Sequence, residues 1–164
     1  MLNHGRLRLR DVEVRGNTIA TSTGSTFGQG AGIWNDGRIE LDRVTIADNS
    51  TRAFDNSGAG LWTSGNADLD ETVIRNNTAT GFTGFGGGVV NGGTALLDRT
   101  DIVGNSISGS TANGGGITNS GTLVLRRLTV RANIAKGGFF ATAGGIQMGA
   151  SSCSTESKSL ETRP

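Results

Sequence analysis

Glu40 and Asp68 are the residues of this sequence best suited to acid–base chemistry. They stand 28 positions apart, with Arg38 close to the first. Two carboxylates held a few ångströms apart can divide the roles of general acid and base. An exposed charged face is the simpler account of the pair. Asp42, Asp70 and Asp98 form a second acidic series at the same period. Stacked carboxylates repel, and calcium would relieve that. The residues next in sequence, Arg43, Glu71 and Arg99, offer an alternating ion-pair lattice instead. Trp34 and Trp62 also share one period. Side by side they would form a flat aromatic strip for a sugar or a protein, unless Phe54 and Phe82 fold over and cover them.

Other chemistry is thinly supported. The single histidine, His4, reads as a solvated turn residue rather than a metal ligand. Cys153 has no second cysteine with which to form a disulfide or a metal site. The run from Gly84 to Gly88 lacks the Lys-Ser/Thr of a phosphate loop. No metal and no cofactor is therefore expected. The formal net charge of +1 implies no pull toward nucleic acid. No apolar run has the length to span a membrane, and Arg6, Arg8, Arg10 and Arg15 interrupt the apolar stretches a signal peptide would need.

What positions these residues is a repeat. Gly5, Gly37, Gly65, Gly93 and Gly121 mark its start, and Asn17, Asn49, Asn77, Asn105 and Asn133 its other reference point. The spacing is 32 once and 28 thereafter. Between Gly and Asn every copy reads G-x-h-x-L-x-x-h-x-h-x-x-N, as in GRIELDRVTIADN, where h is apolar or Thr. Leu9, Leu41, Leu69, Leu97 and Leu125 form the Leu column. A Gly followed by an aliphatic recurs upstream, at Gly32-Ile33, Gly60-Leu61, Gly88-Val89, Gly116-Ile117 and Gly145-Ile146.

Apolar residues alternate on either side of a two-residue corner, and period two means strands. We expect an all-β, right-handed parallel β-helix of about five coils, with three short strands per coil and Gly-rich corners. Residues 1–149 would form the helix, without an evident N-terminal cap. Residues 150–164 would form a disordered Ser-rich tail. Uncapped ends of a solenoid invite end-to-end self-association. The Asn17–Asn133 column and a second one, Asn3, Asn35, Asn91 and Asn119 with Thr63 between, are expected as hydrogen-bonded structural ladders rather than ligand amides. A leucine-rich repeat shares the L-x-x-h-x-h-x-x-N core. Its return path is normally helical, whereas STRAFDNSGAG and TATGFTGFGGG carry no helical apolar stripe.

IADN, IRNN, IVGN and VRAN, followed by GAGL, GGGV, GGGI and AGGI, resemble the repeats of bacterial parallel β-helix proteins of the pectate-lyase-like superfamily. Within it they look closest to polymorphic outer-membrane-protein and related exoprotein repeats, although Ile or Val stands where F-x-x-N is common. The resemblance spans residues 1–148 and implies a secreted or cell-surface protein, often an adhesin or an autotransporter passenger. Two functions follow as expectations. One is a non-enzymatic structural or adhesive segment, contacting a glycan or protein through Trp34 and Trp62. The other is a fragment of a polysaccharide-active lyase or hydrolase using Glu40 and Asp68.

Overall fold

A computed structural model describes residues 1–21 and 27–149. The chain is an all-β parallel solenoid of about five coils, and no helix occurs among the described residues. The expected Ser-rich tail, with Cys153, lies outside them.

The alternation of inward and outward side chains produces four faces. In the second coil, sheet A contains Ile33–Asn35, sheet B Arg38–Asp42, sheet C Thr45–Ala47, and sheet D Ser50–Arg52 with Asp55–Ser57. Neighbouring strands are parallel and in register, apart from one shift between Gly109 and Thr111 in sheet D, so Leu9, Leu41, Leu69, Leu97 and Leu125 lie over one another in turn. Sheets A, B and C are the three strands expected per coil. Sheet D is additional: the Gly-, Ser- and Thr-rich return segments also pair as strands. In the fourth coil they merge into one strand, Ser106–Asn113. The four extra residues of the first repeat fall between Ala20 and Phe27, where the next coil has only two residues between strands.

The core follows from this stacking. Ile33, Leu61, Val89 and Ile117 from sheet A meet Leu41, Leu69 and Leu97 from sheet B and Ile46, Ile74 and Ile102 from sheet C, all buried. Each such side chain contributes about 1.5–3 kcal/mol by leaving water. Leu9 and Leu125, in the outermost coils, are only partly buried, because a coil is covered only by its neighbours. Behind sheet D lies a smaller core of Ala59, Ala79, Ile107 and Ala112.

Glycine is fixed at two columns by close approach. At Gly37, Gly65, Gly93 and Gly121 a Cβ would stand 2.1 Å from the carbonyl oxygen of the glycine one coil earlier. At Gly32, Gly60, Gly88 and Gly116 it would meet the next coil's Gly carbonyl at 2.5–2.7 Å and an Asn side chain at about 3 Å. That Asn belongs to an unbroken ladder. Asn77 Nδ2 donates to Asn105 Oδ1 (2.9 Å) and to the Ile46 carbonyl (3.0 Å). Its Oδ1 accepts from the backbone N–H and Nδ2 of Asn49 at 3.0 and 2.9 Å. Links of the same kind join Asn17 to Asn49 and Asn105 to Asn133. The second ladder runs from Asn3 to Asn35 (2.7 Å), then to Thr63 Oγ1 (2.9 Å), and again from Asn91 to Asn119 (2.7 Å). The buried side chains of these two columns are thereby hydrogen-bonded along the stacking direction.

Candidate functional site

The outward column of sheet A begins Leu2, Trp34, Trp62 and Val90. Its two indoles stack with centroids 4.9 Å apart and planes 9° from parallel. That separation is close to the roughly 4.8 Å between strands. The rings therefore lie one above the other along the solenoid, and each covers a face of its neighbour. Solvent meets their edges rather than the flat strip expected from the sequence. His4 approaches Trp34 edge-on at 5.3 Å, and its Nδ1 lies 3.0 Å from both carboxylate oxygens of Asp36. Trp34 Nε1 donates to Gln29 Oε1 at 3.3 Å. Beside Trp34 opens a cleft of about 470 Å³, lined among others by Leu2, Ile19, Phe27, Gln29 and Ala31.

Phe54 and Phe82 do not cover the tryptophans. They stack on each other at 4.9 Å on the corner of sheet D, each about half exposed. Gln29 and Phe27, which complete the surroundings of Trp34, gave no signal in the sequence, because they lie in the first repeat's longer return segment.

Sheet B carries the acids. Glu40 and Asp68 are register partners on adjacent strands. Arg6 Nη2 and Arg38 Nε donate to Glu40 Oε1 at 2.9 and 3.0 Å, and Arg8 Nε lies 3.8 Å from Oε2. Hydrogen bonds from Arg6, and then Arg38, hold the Glu40 carboxyl below its ordinary pKa. A general acid needs the opposite shift.

Asp42, Asp70 and Asp98 do stack in one column. Guanidinium groups occupy them: Arg10 reaches Asp42 at 2.6 Å and Arg43 reaches it at 2.8 Å, Arg99 bonds Asp70, and Arg127 grips both oxygens of Asp98. Arg127 holds Asp98 below the usual carboxylate range, and Arg43 does the same for Asp11. The pairing residues sit on the corner between sheets B and C. There Asp11, Arg43, Glu71, Arg99 and Arg127 all have φ between 47° and 54°. This left-handed backbone costs a non-glycine residue roughly 1–2 kcal/mol. The corner turns each side chain toward adjacent coils, where Arg43 meets Asp11 at 2.7 Å and Arg99 meets Glu71 at 3.1 Å. Among the described residues no group of three or more His, Cys, Asp or Glu stands together to hold a metal ion.

Fold and surface together define a parallel β-solenoid with polar ladders inside and an ion-pair lattice along one corner. Comparison with protein-family models, with curated proteins and with solved structures gives no match to this chain. Among the described residues no helix is long and apolar enough to cross a membrane.

Proposed function

We propose that the chain is a non-enzymatic structural and adhesive segment of a secreted or surface-exposed bacterial β-helix protein, meeting a glycan or protein on its sheet A side. The observation that carries this reading is the grouping at Trp34: a stacked indole pair, the His4–Asp36 dyad, Gln29 and an open cleft of mixed polarity, on a scaffold with ladders in every coil. Ring edges and a cleft suit an elongated ligand lying along the column, with Gln29 and Asp36 as polar partners. The polysaccharide-active alternative draws support from the register of Glu40 with Asp68. Three arginines around Glu40 oppose it.

Trp34 and Trp62 are the two tryptophans of the sequence, so intrinsic fluorescence reports on this site alone. Titration with neutral and acidic polysaccharides should change the emission and saturate. Trp34→Ala and Trp62→Ala should each weaken binding at least tenfold. Unchanged binding removes the pair as a site. Release of reducing or unsaturated ends that vanishes in Glu40→Gln would instead establish the enzyme.

A further inference from the structure

Sheet D differs from the rest of the surface. All six phenylalanines of the sequence, Phe27, Phe54, Phe82, Phe85, Phe139 and Phe140, project from it and are 39–81% exposed. Its described strands and corners carry only three charged residues, Arg52, Asp55 and Lys136. The remaining outward positions are largely hydroxyls stacked from coil to coil, such as Thr18 on Ser50 (3.1 Å) and Ser106 on Thr78 (3.3 Å). Exposed aromatics with few charges mark an interaction surface.

We propose that sheet D pairs with sheet D of a second copy of this chain, the two solenoids lying side by side about a two-fold axis parallel to their length. The order of residues across the face carries the choice of partner. Two outward columns flank the Phe54–Phe82 stack. One contains Arg52, Thr80, Ser108 and Lys136, and the other Asp55, Thr83, Thr111 and Phe140. A two-fold axis along the phenylalanine column exchanges these columns. Arg52 then faces the second copy's Asp55, Thr80 faces Thr83, Ser108 faces Thr111, and Lys136 faces the ring of Phe140. Each pairing is attractive or neutral, and each occurs twice, as an isologous interface requires.

The area is sufficient. An eight-residue strand is about 26 Å long, and four coils rise about 19 Å. The face therefore covers about 500 Å² on each copy, near the 1,000 Å² total that separates specific contacts from incidental ones. Stacking through the solenoid ends is disfavoured by charge. The last coil, residues 122–148, holds Arg126, Arg127, Arg131 and Lys136 with no acid, and the first carries Arg6, Arg8, Arg10 and Arg15 against Asp11 and Glu13, so both are net positive.

Sedimentation equilibrium of the full chain across the micromolar range tests this. The expected result is a reversible monomer–dimer equilibrium that stops at the dimer. The double variant Phe54→Glu/Phe82→Glu should weaken it at least tenfold while circular dichroism stays unchanged. Arg52→Asp and Asp55→Arg should each weaken it, and their combination should restore it, because the exchanged pair still matches across the axis. A monomer at every concentration, a dimer indifferent to both phenylalanines, or indefinite polymers would each overturn the proposal. A double swap that fails to rescue would overturn the assigned axis.

Discussion

Replacing Asn77 by Ala should be among the most costly single changes on this protein, although it removes only three heavy atoms. Asn77 is buried, and its carboxamide makes four hydrogen bonds to the coils on either side. Without it the Asn49 backbone N–H and Asn49 Nδ2 lose their shared acceptor, and the Ile46 carbonyl and Asn105 Oδ1 each lose a donor. Asn49 Nδ2 retains the Val14 carbonyl and Asn105 Oδ1 retains the Asn77 backbone N–H, so two groups are left most exposed to loss. A buried polar group left unsatisfied costs about 1–3 kcal/mol, which places the loss at about 2–6 kcal/mol. Asn17→Ala is the internal control. Asn17 is exposed, in the outermost coil, and donates its side chain to Asn49 Oδ1 (2.8 Å) and the Arg15 carbonyl (3.2 Å). Its loss should cost about 0.5–1.5 kcal/mol. Urea unfolding reads the contrast. With a slope of about 2 kcal/mol/M, Asn77→Ala should lower the midpoint by at least about 1 M and Asn17→Ala by well under that, the slopes being unchanged. Equal shifts for the two variants would refute the claim that burial of the ladder sets its energy.

The glycine column gives a second contrast. Gly65→Ala drives a Cβ to 2.1 Å from the Gly37 carbonyl and should cost more than about 3 kcal/mol, whereas Gly5→Ala, with nothing within 4 Å, should leave the thermal midpoint unchanged. The ion-pair lattice predicts acid sensitivity. The Glu40, Asp98 and Asp11 carboxyls titrate lower in the folded chain than in the unfolded one, so their stabilisation is complete above about pH 5 and is lost as pH falls through their folded values. Melting temperatures followed from neutral to acid pH should fall below about pH 4, less steeply in Asp98→Asn; an identical slope in that variant would remove the Arg127 pair as a cause.

The legible part of the fold was the part in which like residues sit on like. Leu41, Asn49 and Gly37 recur at fixed offsets because each touches its own copy in the next coil, so the repeat could be aligned and its stacking direction deduced. Sheet D escaped because most of its inward positions, Thr51, Ala79, Asn56, Gly84 and Ala112, are small or polar, with only Ile19 and Ile107 large and aliphatic among its strands' inward residues in the first four coils. A narrow interior there admits small residues, and small residues give no apolar alternation to read. For the same reason Phe54 and Phe82 looked like loop residues free to reach the tryptophans, whereas paired backbone on either side holds them on their own corner. The Trp34–Trp62 pairing was visible in the period, but the orientation of the rings was not. A register shows which residues are neighbours and leaves the χ angles open. The repeat spacing puts Glu40 and Asp68 on one face, as their register shows, yet Arg6 and Arg38 converging on a single Glu40 oxygen is a matter of side-chain reach that spacing does not encode.

The carbonyl oxygens that fill the Cβ space of Gly37, Gly65, Gly93 and Gly121 bear on how such a chain avoids assembling wrongly. A parallel array with five nearly identical rows offers many ways to dock one row out of place, and slippage by one residue inverts every side chain. A one-residue slip that puts Asp36, Arg38, Ser64 or Asn66 in place of Gly37 or Gly65 brings a substituted carbon against an oxygen barely 2 Å away. Turns displaced in that way are penalised at this column, which favours the aligned stack over its one-residue neighbours.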